Sequence, residues 1–153
     1  VVGAALIVGA LHLGWQSCRA AFTYSASQFN PHVYAHTSPD LLKLVTKVEA
    51  LARLSPAGHD TVVKVMSPAN DYWPLPWYLR QFKRSGWWNR IPADPLAPIM
   101  IVSSKFEAAF DSRPEKTHLM AGYFQLRPQV FLELYVDLNL WREYVKTLPP
   151  EKD

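Results

Sequence analysis

Apolar residues recur at three- and four-residue spacing through Leu41, Leu44, Val45, Val48, Leu51 and Ala52, while Lys43, Lys47, Glu49 and Arg53 fall off that stripe. This is the period of an amphipathic helix with one buried face. Ser38-Pro39-Asp40 opens it: Ser38 suits the N-cap, Pro39 the first helical position, and Asp40 complements the helix dipole. Ser55-Pro56-Ala57-Gly58 stops it. Thr61 to Met66 follows as a β-branched run in which Val62, Val63 and Val65 do not alternate strictly, which fits a strand covered on both faces. The next stretch, Ser67 to Arg84 (SPANDYWPLPWYLRQFKR), crowds Tyr72, Trp73, Pro74, Pro76, Trp77 and Tyr78 ahead of Arg80, Lys83 and Arg84. Proline costs no hydrogen bond in a first helical turn, so Pro74 and Pro76 can open a helix carrying Trp77 to Phe82.

Ser85-Gly86 breaks the pattern, and Trp87-Trp88 fit either a short edge strand or a lid. Ile91 to Pro98, with three prolines, is a loop, and Ile99 to Val102 is a second apolar strand ending at Ser103-Ser104. Strand, helix and strand within about 40 residues fit a right-handed βαβ crossover and a parallel pair. Lys105 to Thr117, interrupted by Pro114, is a short helix or a loop. Leu119 to Leu126 and Val130 to Val136, joined by Arg127-Pro128-Gln129, form a hairpin pattern. In its second arm Val130, Leu132, Leu134 and Val136 share one face, and Phe131, Glu133 and Tyr135 the other. Asp137 can cap a closing helix, Leu138 to Leu148, whose apolar face is Leu140, Trp141, Tyr144, Val145 and Leu148. The expected fold is α/β: a small, mainly parallel sheet with a βαβ unit, plus a C-terminal β-hairpin and helix.

The N-terminus breaks with this pattern. From Val1 to Trp15 the only strongly polar side chain is His12, and Gly, Ala, Val and Leu dominate until Gln16, Ser17 and Arg19. That is the composition of a membrane segment, although as a helix the run covers roughly 22 Å, short of the ~20 residues a full span needs. The chain is expected to begin inside the last transmembrane helix of a larger protein, with Trp15 near the interface and Arg19 just outside. Two readings compete: a signal peptide, which here lacks a basic start, and a buried helix of a soluble domain. A lone Arg does not orient the helix. The expected division is the end of a transmembrane helix at 1–19, a connector at 20–37, the α/β domain at 38–148 and a charged tail at 149–153.

Composition narrows the function classes. The chain has 153 residues, enough for one domain with a core and one extra segment. Its net charge of +3 comes from dispersed basic residues, which argues against a nucleic-acid partner. A single cysteine, Cys18, excludes an intrachain disulfide framework and a Cys-based zinc site. Carboxylates at Asp71, Asp94, Glu107, Asp111 and Glu133 are scattered, without a local acid and base pair. No phosphate loop, dinucleotide fingerprint, nucleophile elbow or metal-ligand spacing occurs, so no cofactor, no metal and no catalytic residue is assigned.

The pointer that remains is topological. Open α/β sheets gather ligands beyond the carboxyl ends of their strands, here the loop Ser67 to Asp71 and the segment Ser103 to Phe106. Asn70, Asp71, Trp73 and Ser104 would meet there if the two strands are neighbours. With Tyr72, Trp77 and Arg80 they form a substrate-binding candidate of the kind that suits a sugar, an apolar face beside hydrogen-bonding groups. Trp and Tyr are also ordinary core residues, and Asn-Asp an ordinary turn. Tyr34 and His36 in the connector either face this cleft or simply pin the linker down. A hydrolase using Asp71 with His36 or His118 needs those groups within hydrogen-bond reach.

Three motifs, N-P-H-V-Y-A-H-T-S-P-D at Asn30 to Asp40, D-Y-W-P-L-P-W-Y-L-R at Asp71 to Arg80, and L-R-P-Q-V-F-L-E-L-Y-V at Leu126 to Val136, carry a resemblance. Together they resemble the C-terminal part of bacterial and archaeal flippase-activity-associated membrane proteins. Those are similar to the dolichyl-phosphate-mannose-type, GT-C glycosyltransferases, polytopic enzymes that use lipid-phosphate sugars. The resemblance spans nearly the whole chain, and W-P-L-P-W-Y-L-R is its most specific part. It implies a location at the cell membrane, with the soluble domain on the extracytoplasmic side. The implied partners are the remaining transmembrane part of the same protein, the membrane, and a glycan or polyprenyl-phosphate sugar. The acidic catalytic residues of such enzymes lie in an early extracytoplasmic loop, so the resemblance implies none in this chain.

Overall fold

The aliphatic and β-branched runs pair into one sheet. The computed structural model describes residues 2–25, 27, 30, 36–112 and 114–149. Its strands are β1 (Val63–Met66), β2 (Ser85–Trp88), β3 (Ile99–Ser103), β4 (His118–Arg127) and β5 (Val130–Asp137), and its α-helices are α1 (Val2–Cys18), α2 (Asp40–Leu54), α3 (Leu75–Tyr78) and α4 (Leu138–Lys146). The strand order is β2-β1-β3-β5-β4. β1 runs parallel to both neighbours, Val65 standing beside Trp87 and Ile101, and β5 runs antiparallel to β3 and β4. This is the α/β class expected from the sequence, with its βαβ unit, C-terminal hairpin and closing helix. Trp87-Trp88 form an edge strand rather than a lid.

The sheet is covered unequally. Val63, Val65, Ile99, Ile101, Leu132, Leu134 and Val136 point to one face and pack against Leu41, Leu44, Val48 and Leu51 of α2, with Leu75 and Leu79 from the α3 region. Leu140, Trp141 and Tyr144 of α4 join them. Met66, Met100, Val102 and Tyr135 point to the other face, where Ala97 and Phe110 come from loops rather than helices. Both faces are therefore dry at the centre, and every residue of β3 is buried, as a near-continuous apolar strand requires. Lys64 adapts to that second face by lying 5.8 Å from the Trp88 ring and donating to the Asp94 carbonyl at 2.6 Å. The Trp88 ring folds back over Gly86, where a Cβ would come within 2.1 Å of it.

Element ends follow local chemistry. Ser38 Oγ accepts from Asp40 N at 3.3 Å, and Asp137 accepts from Asn139 N and Leu140 N, so both anticipated caps form. The helix expected over Trp77 to Phe82 is instead α3, one turn ending at Tyr78. Leu75, Leu79 and Phe82 are all buried, and turns at Leu79 to Gln81 take the chain down to β2. The strand expected from Thr61 starts at Val63, since Thr61 closes the 3₁₀ turn Gly58–Asp60. Within the stretch Lys105 to Thr117, residues 107–112 and 114–117 are loop after the 3₁₀ turn Ser104–Phe106.

α1 has no buried side chain, and its Leu6, Ile7, Val8, Leu11 and Leu13 are all exposed. Its 17 residues make a rod of about 25 Å. No helix among the described residues is long and apolar enough to cross a membrane. A π-helical turn, Arg19–Thr23, continues it, and the Arg19 guanidinium lies 4.7 Å from the Trp15 ring and 5.1 Å from that of Tyr24.

Candidate functional site

Three connections converge where β1 and β3 end. Register places Met66 beside Val102 and Ser103 beside Leu132, so the loop after β1, the loop after β3 and the Pro128-Gln129 turn share one edge. Among the described residues, all five non-glycine positions with left-handed backbone lie on these connections: Ala69 (φ 54°), Asn70 (57°), Glu107 (46°), Ala109 (41°) and Gln129 (64°). Each such conformation costs on the order of 1 kcal/mol, and such costs concentrate where geometry serves a purpose. This edge is also where α/β sheets hold ligands.

The loop after β1 is latched from two sides. Ser67 is fully buried, its N–H donating to the Trp88 carbonyl at 2.9 Å and its Oγ to the Asp71 carbonyl at 3.0 Å. Across the sheet, the Arg127 guanidinium pairs with the Asp71 carboxylate and donates to the Trp73 carbonyl at 3.0 Å. The two charged side chains retain only 25% and 22% of their exposure, so water screens the pair poorly. Asp71 is thus an anchored carboxylate, held by an arginine that sequence reasoning treated only as part of a hairpin turn.

Beyond the latch the aromatic residues divide by role. Tyr72 packs its ring 5.0 Å from Trp87, with its hydroxyl 3.4 Å from Asn70 Oδ1. Trp73 and Trp77 turn outward, 65% and 61% exposed. Arg80 lies 4.6 Å over the Trp77 ring and donates to the Trp77 carbonyl at 2.7 Å, a cation–π contact worth about 0.5–1 kcal/mol at an exposed site. Since Trp73 and Trp77 bury little, Trp73→Ala is expected to shift stability by no more than about 0.5 kcal/mol, and Trp77→Ala, which also loses the Arg80 contact, by no more than about 1 kcal/mol. Urea unfolding checks this, and a cooperative loss of fold would assign either ring to the core.

The other candidates do not join this group directly. β1 and β3 are neighbours, yet among the described residues no hydrogen bond or ion pair links Ser104 to Asn70 or Asp71; the Ser104 carbonyl accepts from Glu107 N. His36 is exposed and makes no hydrogen bond to Asp71, and Tyr34 lies outside the described residues. His118 is buried, its ring nitrogens 3.0 Å from the Ala97 carbonyl and 2.9 Å from Thr117 Oγ1. It begins β4 and Arg127 ends it, which separates His118 from the Asp71 latch by about 30 Å at roughly 3.3 Å per residue. A hydrolase pairing Asp71 with His118 is therefore dropped. No group of His, Cys, Asp and Glu among the described residues could hold a metal ion.

Two further polar contacts stand outside the Asp71 latch. The Tyr135 hydroxyl donates to Glu133 at 2.8 Å, and burial, then the Glu133 carboxylate, pushes its pKa well above the usual tyrosine range. Lys47 donates to the Ala121 carbonyl at 2.8 Å with the Phe124 and Trp141 rings at 5.9 and 5.5 Å, and burial lowers its pKa. The Lys47 contact ties α2 to β4, whereas the Tyr135–Glu133 bond lies within β5. No protein-family model, no curated protein and no solved structure matches this chain.

Proposed function

We propose that this chain is the C-terminal extracytoplasmic accessory domain of a polytopic membrane glycosyltransferase-like protein acting with lipid-phosphate-linked sugars. In this reading it is not catalytic by itself. The observation that carries it is α1, a helix of 17 residues without one buried side chain, continuous in sequence with an α/β domain. A helix that leaves Leu6, Ile7, Val8, Leu11 and Leu13 uncovered finds an apolar surround in a bilayer or in other transmembrane helices. The Asp71 latch agrees with the non-catalytic part, since a carboxylate committed to Arg127 is poorly placed to carry protons. The W-P-L-P-W-Y-L-R resemblance supplies the class of parent protein.

The partners in this proposal are the remaining transmembrane part of the same protein, the membrane, and a glycan or polyprenyl-phosphate sugar. The domain shapes or covers the site where donor or acceptor binds. Incubated with a polyprenyl-phosphate sugar and acceptor glycans, the full chain is expected to fold yet transfer no sugar; turnover by this chain alone overturns the reading. The exposed Trp73 and Trp77 favour one alternative, a membrane-anchored carbohydrate-binding or protein-interaction module. Glycan titration followed by Trp fluorescence separates the two, because a binding module responds without its membrane half.

A further inference from the structure

The segment from Tyr72 to Arg84 has two chemically distinct sides. Leu75, Leu79 and Phe82 are buried and fix its orientation. Trp73, Trp77, Arg80, Lys83 and Arg84 are all exposed on the outside. The segment contains no carboxylate; Asp71, just before it, is held by Arg127, and Asp60 stands 3.9 Å from Lys83. Two exposed indoles beside three cations need a partner that is apolar and anionic within one thin layer. The headgroup region of a bilayer has that structure: indoles settle at the boundary between hydrocarbon and water, and cations pair with lipid phosphates.

We infer that this segment rests on the surface of a membrane carrying anionic lipids, with Trp73 and Trp77 entering the interface and Arg80, Lys83 and Arg84 facing the phosphates. The inference rests on the proposed function only for what brings the domain close to a bilayer. A single-stranded nucleic acid offers the same charge, but its bases would need open indole faces, and Arg80 already covers one face of Trp77 at 4.6 Å.

The test uses the full chain with Cys18→Ser and Gln81→Cys, labelled at residue 81 with an environment-sensitive dye. Cys18 and Gln81 are both exposed, and residue 81 lies within the segment. Vesicles of phosphatidylcholine, with and without phosphatidylglycerol and containing spin-labelled lipid, are the probe. Quenching is expected to be several-fold stronger on anionic vesicles. It should return to the neutral-vesicle level in high salt, in W73S/W77S and in R80Q/K83Q/R84Q. Each cation near such a surface contributes about five-fold in binding, so the equilibrium constant for the surface-bound state falls on the order of 100-fold in the triple variant. Circular dichroism verifies that these surface variants remain folded.

Salt-resistant flotation with the vesicles reports anchoring through α1 separately. Flotation without anionic-specific quenching overturns the inference and leaves the membrane reading standing. Quenching without salt-resistant flotation upholds the inference and counts against that reading. A stronger dye response to single-stranded RNA than to anionic vesicles also overturns it.

Discussion

Arg127→Met is expected to destabilise the domain by about 2 kcal/mol. Removing one partner of a fully buried ion pair costs about 3–5 kcal/mol, and exposed pairs are worth about 0.2–1 kcal/mol. Side-chain exposures of 25% and 22% for Arg127 and Asp71 lie between those limits. Met keeps much of the aliphatic stem, so the loss falls on the Asp71 pair and on the hydrogen bond to the Trp73 carbonyl. In a domain of this size the melting temperature should fall by about 10 °C. A double-mutant cycle with Asp71→Asn sharpens the test. The double variant should cost at least about 1 kcal/mol less than the sum of the singles, because either change removes the same contact. Additivity within about 0.5 kcal/mol would mean that the two side chains do not act together. The functional consequence is positional: the latch holds the loop that carries Trp73, so in Arg127→Met the exposed aromatic surface loses its fixed geometry before the sheet unfolds.

The other large effect lies in the sheet itself. Leu134→Ala is expected to cost about 3 kcal/mol, the middle of the range for deleting a fully buried leucine. Leu134 has no exposure and stands between Ile101 on β3 and Gly122 on β4. Gly122 supplies no side chain to fill the gap, and the Phe124 ring already lies close over it, 2.6 Å from where a Cβ would be. The cavity therefore closes only partly. Val145→Ala on α4, at a position 47% exposed, should remain within about 0.5 kcal/mol. Urea unfolding midpoints with unchanged slope for both variants check the contrast. Equal losses at the two positions would contradict the assignment of the core to the α2 side of the sheet.

Much of the architecture was legible in local patterns, because the forces that set it act over a few residues. The α2 stripe, the Ser38 and Asp137 caps, the aliphatic strands and the Arg127-Pro128-Gln129 turn all declare themselves within one or two turns of chain. Element lengths were less legible. The Pro-primed helix stops at Tyr78, since Leu75, Leu79 and Phe82 reach the core equally well from a turn. Trp87-Trp88 fitted a strand or a lid until the neighbouring β1 supplied hydrogen bonds along its edge.

The candidate site divides the same way. Its place at the carboxyl edge of β1 and β3 follows from the order of elements, and the exposed pair Trp73 and Trp77 lies in the stretch whose composition singled it out. Its electrostatics do not follow. Asp71 and Arg127 are 56 positions apart in the chain, and no spacing rule links a loop carboxylate to the last residue of a strand two strands beyond the neighbour of its own. His118 shows the converse: a histidine compatible with catalysis in sequence is buried against the Ala97 carbonyl at the far end of β4.

By itself, then, the sequence determined the main strands and helices other than the Trp87-Trp88 edge, where α2 and α4 are capped, and that the first residues form an apolar helix unlike the rest, because propensity, periodicity and capping are properties of neighbouring residues. Only the tertiary structure decided which face of the Tyr72–Arg84 segment is buried, that the indoles of Trp73 and Trp77 turn outward, and that Asp71 is held rather than free. Those outcomes depend on strand order and register, which bring together groups that the chain keeps far apart.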